Sequence, residues 1–237
     1  MRRAAVARTL RSLLLASALT LTAQGALAQV YGPPPITGGG PGRIPDEEGA
    51  PPTQVQEKPD KAALKAYKAG MKSLDKAREL EDFIAKTTDA DKKNKALEKL
   101  GDTYGQALDQ FTEVLRNKSD TYDAWNKVGL IHLRLGAYRE SIDDYNHALA
   151  LKSDLPEAVV NRAQAFLATD RLEDVKSAYM DLFYHNRPLA DQLMVSMQAW
   201  LTRHRSAAEG VRPADIDAFD KWLTERNGIA KTASSGS

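Results

Sequence analysis

An all-α fold of antiparallel helical hairpins, stacked side by side, is predicted by three observations. Apolar residues recur at spacings of three and four from residue 60 onward. Val and Ile occur singly on such stripes, never in the alternating runs a strand needs. The chain also aligns with itself when shifted by 34 residues. An elongated hairpin is expected at the N-terminal end and capping helices at the C-terminal end.

Taken in order, residues 1–28 carry Arg2, Arg3, Arg8 and Arg11 and no acid, then an apolar run from Leu13 and the small-residue exit Ala26-Leu27-Ala28. This is the pattern of a secretory signal peptide. Ser12, Ser17, Thr20, Thr22, Gln24 and Gly25 interrupt a run too short for a comfortable membrane span. The chain has no cysteine, so disulfides, thiolate chemistry and a lipidated cysteine are excluded. Residues 1–28 hold 4 of the 33 basic side chains and none of the 32 acidic ones, so their removal shifts the formal net charge from +1 to −3. With the signs interspersed, neither a nucleic-acid footprint nor a basic stripe for a membrane surface is expected, and no stable membrane insertion after signal cleavage.

Between Val30 and Asp60 lie 8 of the 11 prolines and 6 of the 15 glycines, with no apolar periodicity. Residues 29–59 are therefore expected to be a disordered leader, either a spacer or a proline-rich docking motif. The folding unit is residues 60–228, and 229–237 are expected to be a disordered tail. Asp60 is a candidate N-cap for a helix over 60–86 whose stripe is Leu64, Tyr67, Met71, Leu74 and Leu80. Thr and Asp residues at 87–91 read as a turn. A second long helix follows, striped by Leu97, Leu100, Tyr104, Leu108, Phe111 and Leu115 and ending near Asn117. Shorter helices are predicted over 121–135, 138–151, 156–168, 172–185, 189–205 and 213–227.

The 34-residue shift aligns Ala107, Ser141 and Val175, then Phe111, Tyr145 and Tyr179, then Val114, Ala148 and Leu182. It also aligns Gly129 with Ala163. Trp125, Val128, Gly129 and His132 in a first helix, with Ser141, Tyr145, Ala148 and Leu149 in a second, resemble the tetratricopeptide repeat. Clear copies cover 122–155 and 156–189. Departures are His132 for an aromatic, Ser141 for alanine, and Ser119 and Ser153 for proline. Gly70 and Val114 read as the same unit with longer arms: they stand 44 residues apart, against 19 for Gly129 and Ala148. The excess adds about three and a half turns to each arm. The resemblance implies a right-handed superhelical array of roughly three repeats, capped by helices around Leu193, Met197, Trp200, Ile216, Phe219 and Trp222.

Catalytic chemistry finds no constellation. His132, His147, His185 and His204 show no i, i+3 or i, i+4 pairing among themselves, so no metal site is expected, and His132 reads as a core residue. Gly38–Gly42 (GGGPG) precedes no helix that could cradle a phosphate. Asp143-Asp144 and Glu173-Asp174 are expected on exposed positions with ordinary ionisation. No enzymatic activity and no cofactor are expected.

The resemblance implies a concave face lined by first helices, suited to a protein or peptide partner. Its candidate residues are Asn126, Leu130, Leu133 and Arg134 in one repeat and Val160, Asn161, Gln164 and Leu167 in the next. Family members that grip a terminal carboxylate use Lys and Asn at positions where this chain has Asn126, Leu130, Asn161, Asp191 and Val195. Only Asn161 fits, which disfavours that mode. The expected function is an exported interaction scaffold, periplasmic or secreted in a Gram-negative envelope. The alternative is an envelope adaptor acting through self-association, as a homo-oligomer, or through its long N-terminal hairpin.

Overall fold

In the computed structural model, residues 61–206 and 210–235 are described, and every described element is a helix. The elements are α1 (Lys61–Lys86), α2 (Ala90–Asn117), α3 (Tyr122–Arg134), α4 (Tyr138–Leu151), α5 (Pro156–Ala168), α6 (Leu172–His185), α7 (Arg187–Ser206) and α8 (Pro213–Ser235). The expected signal peptide, leader and Asp60 cap lie outside the described residues. No described helix is long and apolar enough to cross a membrane.

The first hairpin is the elongated one. Its helices have 26 and 28 residues, whereas α3 to α6 have 13 or 14. It turns where the sequence predicts: Asp89 is extended at the N-cap, and its carboxylate accepts from the Lys92 backbone N–H at 3.0 Å. That bond holds the Asp89 carboxyl below its usual pKa.

The two shorter hairpins turn identically. Gly136 and Asp170, 34 residues apart, both adopt left-handed conformations, at φ +74° and +57°. In each, the following N–H reaches back to a carbonyl in the last turn, Ala137 to His132 and Arg171 to Phe166, both at 2.9 Å. This closes the helix as a Schellman turn. Asn186 ends α6, and its side chain accepts from the Leu189 N–H at 3.3 Å inside α7, beside Pro188.

Each helix packs on the next in sequence. In addition α3 meets α5, and α5 meets α7, so first helices succeed one another along one side. The repeat positions carry the core: Ala107, Ser141 and Val175, Phe111, Tyr145 and Tyr179, and Val114, Ala148 and Leu182 are all buried. A Cβ on Gly129 would lie 3.1 Å from the Tyr145 ring, and one on Gly70 would lie 2.8 Å from the Phe111 ring. Gly70 thus occupies in the long hairpin the place of Gly129 in the short one.

The Ser141 hydroxyl donates to the Gly129 carbonyl at 2.9 Å, which ties α4 to α3 and gives the buried serine its partner. At the C-terminal end Trp200 meets Phe219 edge-on at 5.4 Å, and Tyr179 meets Trp222 at 5.5 Å. The last helix thereby covers α6 and α7. It continues to Ser235, beyond the expected end at 227 and into the residues expected to be a tail, with no proline to stop it.

Candidate functional site

Side chains from α3 and α5 build the candidate surface. Asn126, Leu130 and Arg134 on α3 and Asn161 and Gln164 on α5 are partly exposed. Leu133, Val160 and Leu167, also expected to line it, are only 9%, 3% and 6% exposed. These three belong to one core cluster and close the seam between the two helices. The surface is therefore carried by amides, Leu130 and one guanidinium, extended on α7 by Val195, which is 59% exposed.

Arg134 is anchored from a distance in sequence. Its Nε lies 3.6 Å from the Glu81 carboxylate on α1, and the same carboxylate accepts from the Tyr104 hydroxyl at 2.6 Å. Burial, reinforced by Glu81, pushes the Tyr104 phenol well above its usual pKa. A parallel fastening joins the Tyr67 hydroxyl to Asp123, which also approaches Lys127 at 3.7 Å. Burial first, then the bond to Asp123, raises the Tyr67 phenol likewise. The long hairpin is thus locked to α3, and Arg134 is held in a fixed direction. Nothing in the local spacing of Glu81 or Tyr104 signals this role, because the partners lie far apart in sequence.

Beneath Arg134 and Asn161 sits the Tyr145 ring, wholly buried, its hydroxyl beside the Asn161 side chain without a hydrogen bond of good geometry. Tyr179, its counterpart one repeat on, is also wholly buried, and its hydroxyl has no hydrogen-bond partner.

A second polar constellation pairs His132 Nδ1 with Asp144 Oδ2 at 2.5 Å. Asp144 is buried rather than exposed, which corrects the expectation from its neighbour Asp143. The pair fills the space that Phe166 and Ala178 fill in the next repeat. Its satisfied, inward geometry makes it a core contact. A shallow recess of about 290 Å³ lies at the ends of the hairpins, lined by Asp154, Pro156, Asp181, His185 and Asn186 among others. Among the described residues no group of three or more histidine or acidic side chains is placed to hold a metal ion.

No protein-family model and no curated protein sequence matches the chain.

Proposed function

We propose that this protein is an exported interaction scaffold of the tetratricopeptide type, which holds an extended protein segment along the face formed by its first helices. The observation that carries the reading is the succession of α3, α5 and α7 along one side, with Asn126, Asn161 and Gln164 partly exposed on it. Amides both donate and accept, so such a line matches the alternating N–H and C=O groups of an extended backbone without demanding charge. Leu130 and Val195 add apolar contact, and Arg134, fixed by Glu81, supplies one oriented cation. No catalytic step and no cofactor enter this function. The N-terminal secretory pattern supports export to the periplasm or outside the cell.

The test is selection of binders from a displayed library of random peptides, followed by hydrogen exchange of the complex. Protection on α3 and α5, and at least a tenfold loss of affinity on combined alanine substitution of Asn126, Asn161 and Gln164 with helicity unchanged, is the expected result, equivalent to about 1.4 kcal/mol. Protection confined to α4 and α6 would sink the proposal.

A further inference from the structure

The elongated hairpin carries two charged faces that the groove does not use. Along α1, Lys61, Lys65, Lys68, Lys72 and Lys76 follow one another at steps of three and four, and all are exposed. At 1.5 Å per residue they form a line about 22 Å long. It lies opposite the buried stripe of Ala66, Gly70, Leu74 and Ala77. No acid precedes Asp75 in this helix, and none of the five lysines forms an ion pair among the described residues. Like charges at these spacings disfavour a helix, and in its N-terminal half the helix dipole adds to the penalty. The fold of α1 does not require them.

On the outer face of α2 acids predominate, and exposed Lys95 stands between Asp91 and Glu98 on the same line. Asp91, Asp102 and Asp109 are exposed there, with Glu98 on the same line, at helical steps of seven, four and seven. This line lies opposite the buried Ala96, Leu100, Ala107 and Phe111. The large exposed apolar side chains of the hairpin, Leu64 and Phe83, each 45% exposed, are both on α1, and Phe83 continues the lysine line.

We propose that the lysine face of α1 docks on the acidic face of α2 of a second copy of this chain. Two faces of matched helical period and opposite sign on one hairpin favour a second copy over an unrelated polyanion. Because the faces differ, the contact is head-to-tail, and it builds a ring or an open chain rather than a closed two-fold dimer. Isolated surface ion pairs contribute little. A line of them in register, with Leu64 and Phe83 covered, gives an association that salt weakens. The contact is independent of the groove, so either reading can fail alone.

Sedimentation velocity of the full chain between roughly 0.05 and 0.5 M salt tests it. The expected result is growth beyond a dimer with concentration, weakened at least about tenfold at the high-salt end. One variant combines K65E, K68E and K72E, the other D102K and D109K. Each alone is expected to stay monomeric with unchanged circular dichroism. Mixing the two, or uniting all the changes in one chain, restores assembly, which a folding defect would not do. A monomeric wild type at low salt overturns the proposal, as do variants that assemble like the wild type. Loss of binding to phosphatidylglycerol vesicles by the lysine variant, with the wild type monomeric, overturns it in favour of an anionic surface.

Discussion

Gly70 and Gly129 occupy equivalent places against an aromatic ring, yet they differ in clearance, and the difference sets how each tolerates a methyl group. An added Cβ at Gly70 lies 2.8 Å from the wholly buried Phe111 ring, which also meets Tyr67 edge-on at 5.6 Å and has nowhere to retreat. Gly70→Ala is expected to destabilise by about 1–2 kcal/mol net, overpacking exceeding the helix-propensity gain of about 1 kcal/mol. At Gly129 the clearance is 3.1 Å, and the next repeat already has Ala163 beside Tyr179. Gly129→Ala should fall within about 0.5 kcal/mol of neutral, both changes being read by urea denaturation. The poorly bonded hydroxyl of Tyr145 gives the opposite sign: Tyr145→Phe is expected to hold or raise stability by up to about 1 kcal/mol, since a buried hydroxyl without a well-formed hydrogen bond is a penalty. A clear loss of stability would show a hydrogen bond to Asn161 or Arg134. The sequence period identifies all these positions as core; their clearances and partners depend on the neighbouring helix and are invisible in it. Asp144 makes the same point, because only the rotation of α4 separates it from exposed Asp143.

At the level of elements, the turn between α5 and α6 joins conformation to packing. Asp170 stands at φ +57°, and its carboxylate accepts from Trp200 Nε1 at 3.2 Å and lies 3.5 Å from His204 Nε2, both on α7. Asp170→Gly removes the backbone strain but loses the contacts, whereas Asp170→Ala loses the contacts and keeps the strain. The alanine variant should be less stable than the glycine variant by about 1 kcal/mol, measured by thermal unfolding. Equal stabilities would mean that the left-handed turn costs nothing here. The pH response also belongs to the joints between elements. Asp89 has a lowered pKa, so its cap stabilises the hairpin above the ordinary carboxyl value of 3.8, and that contribution is lost as pH falls through the folded value. Tyr67 and Tyr104 are shifted upward, so the stability they carry is complete below pH 10.0 and is lost as pH rises above it. Tyrosinate absorbance and helicity are expected to change together on the alkaline side. Titration of both phenols near 10 in the folded protein would contradict the packing at Glu81 and Asp123. The turn at Asp89 was legible from composition; the fastening of α1 and α2 to α3 was not, because it joins residues one helix pair apart.

For the whole molecule, two core clusters divide the array. One joins α1 and α2 to Ala124, Val128 and Ile131 on α3 and to Leu135 at its C-cap; the other runs from Leu133 and Ile142 to Leu223 on α8. Since each hairpin touches chiefly its neighbours, stability is expected to be local. Phe219→Ala, in the terminal cap, should speed hydrogen exchange in α7 and α8 by at least tenfold while leaving α1 and α2 within about twofold. Uniform acceleration along the chain would indicate a single cooperative unit. The charge faces of the long hairpin also belong to this scale. A chain-wide count of mixed charges suggested no basic stripe, yet folding α1 gathers five lysines on one side and folding α2 gathers acids on another. By itself the sequence determined the helical class, the order of the helices, the lengths of all but the last, and the repeat positions that fill the core, because apolar period, caps and turn residues act within a few residues of one another. Tertiary structure alone decided that Leu133, Val160 and Leu167 close the seam between α3 and α5 and that Glu81 orients Arg134. Those outcomes depend on how neighbouring helices rotate and approach one another, and contacts between residues distant in the chain leave no local signal for a periodicity to carry.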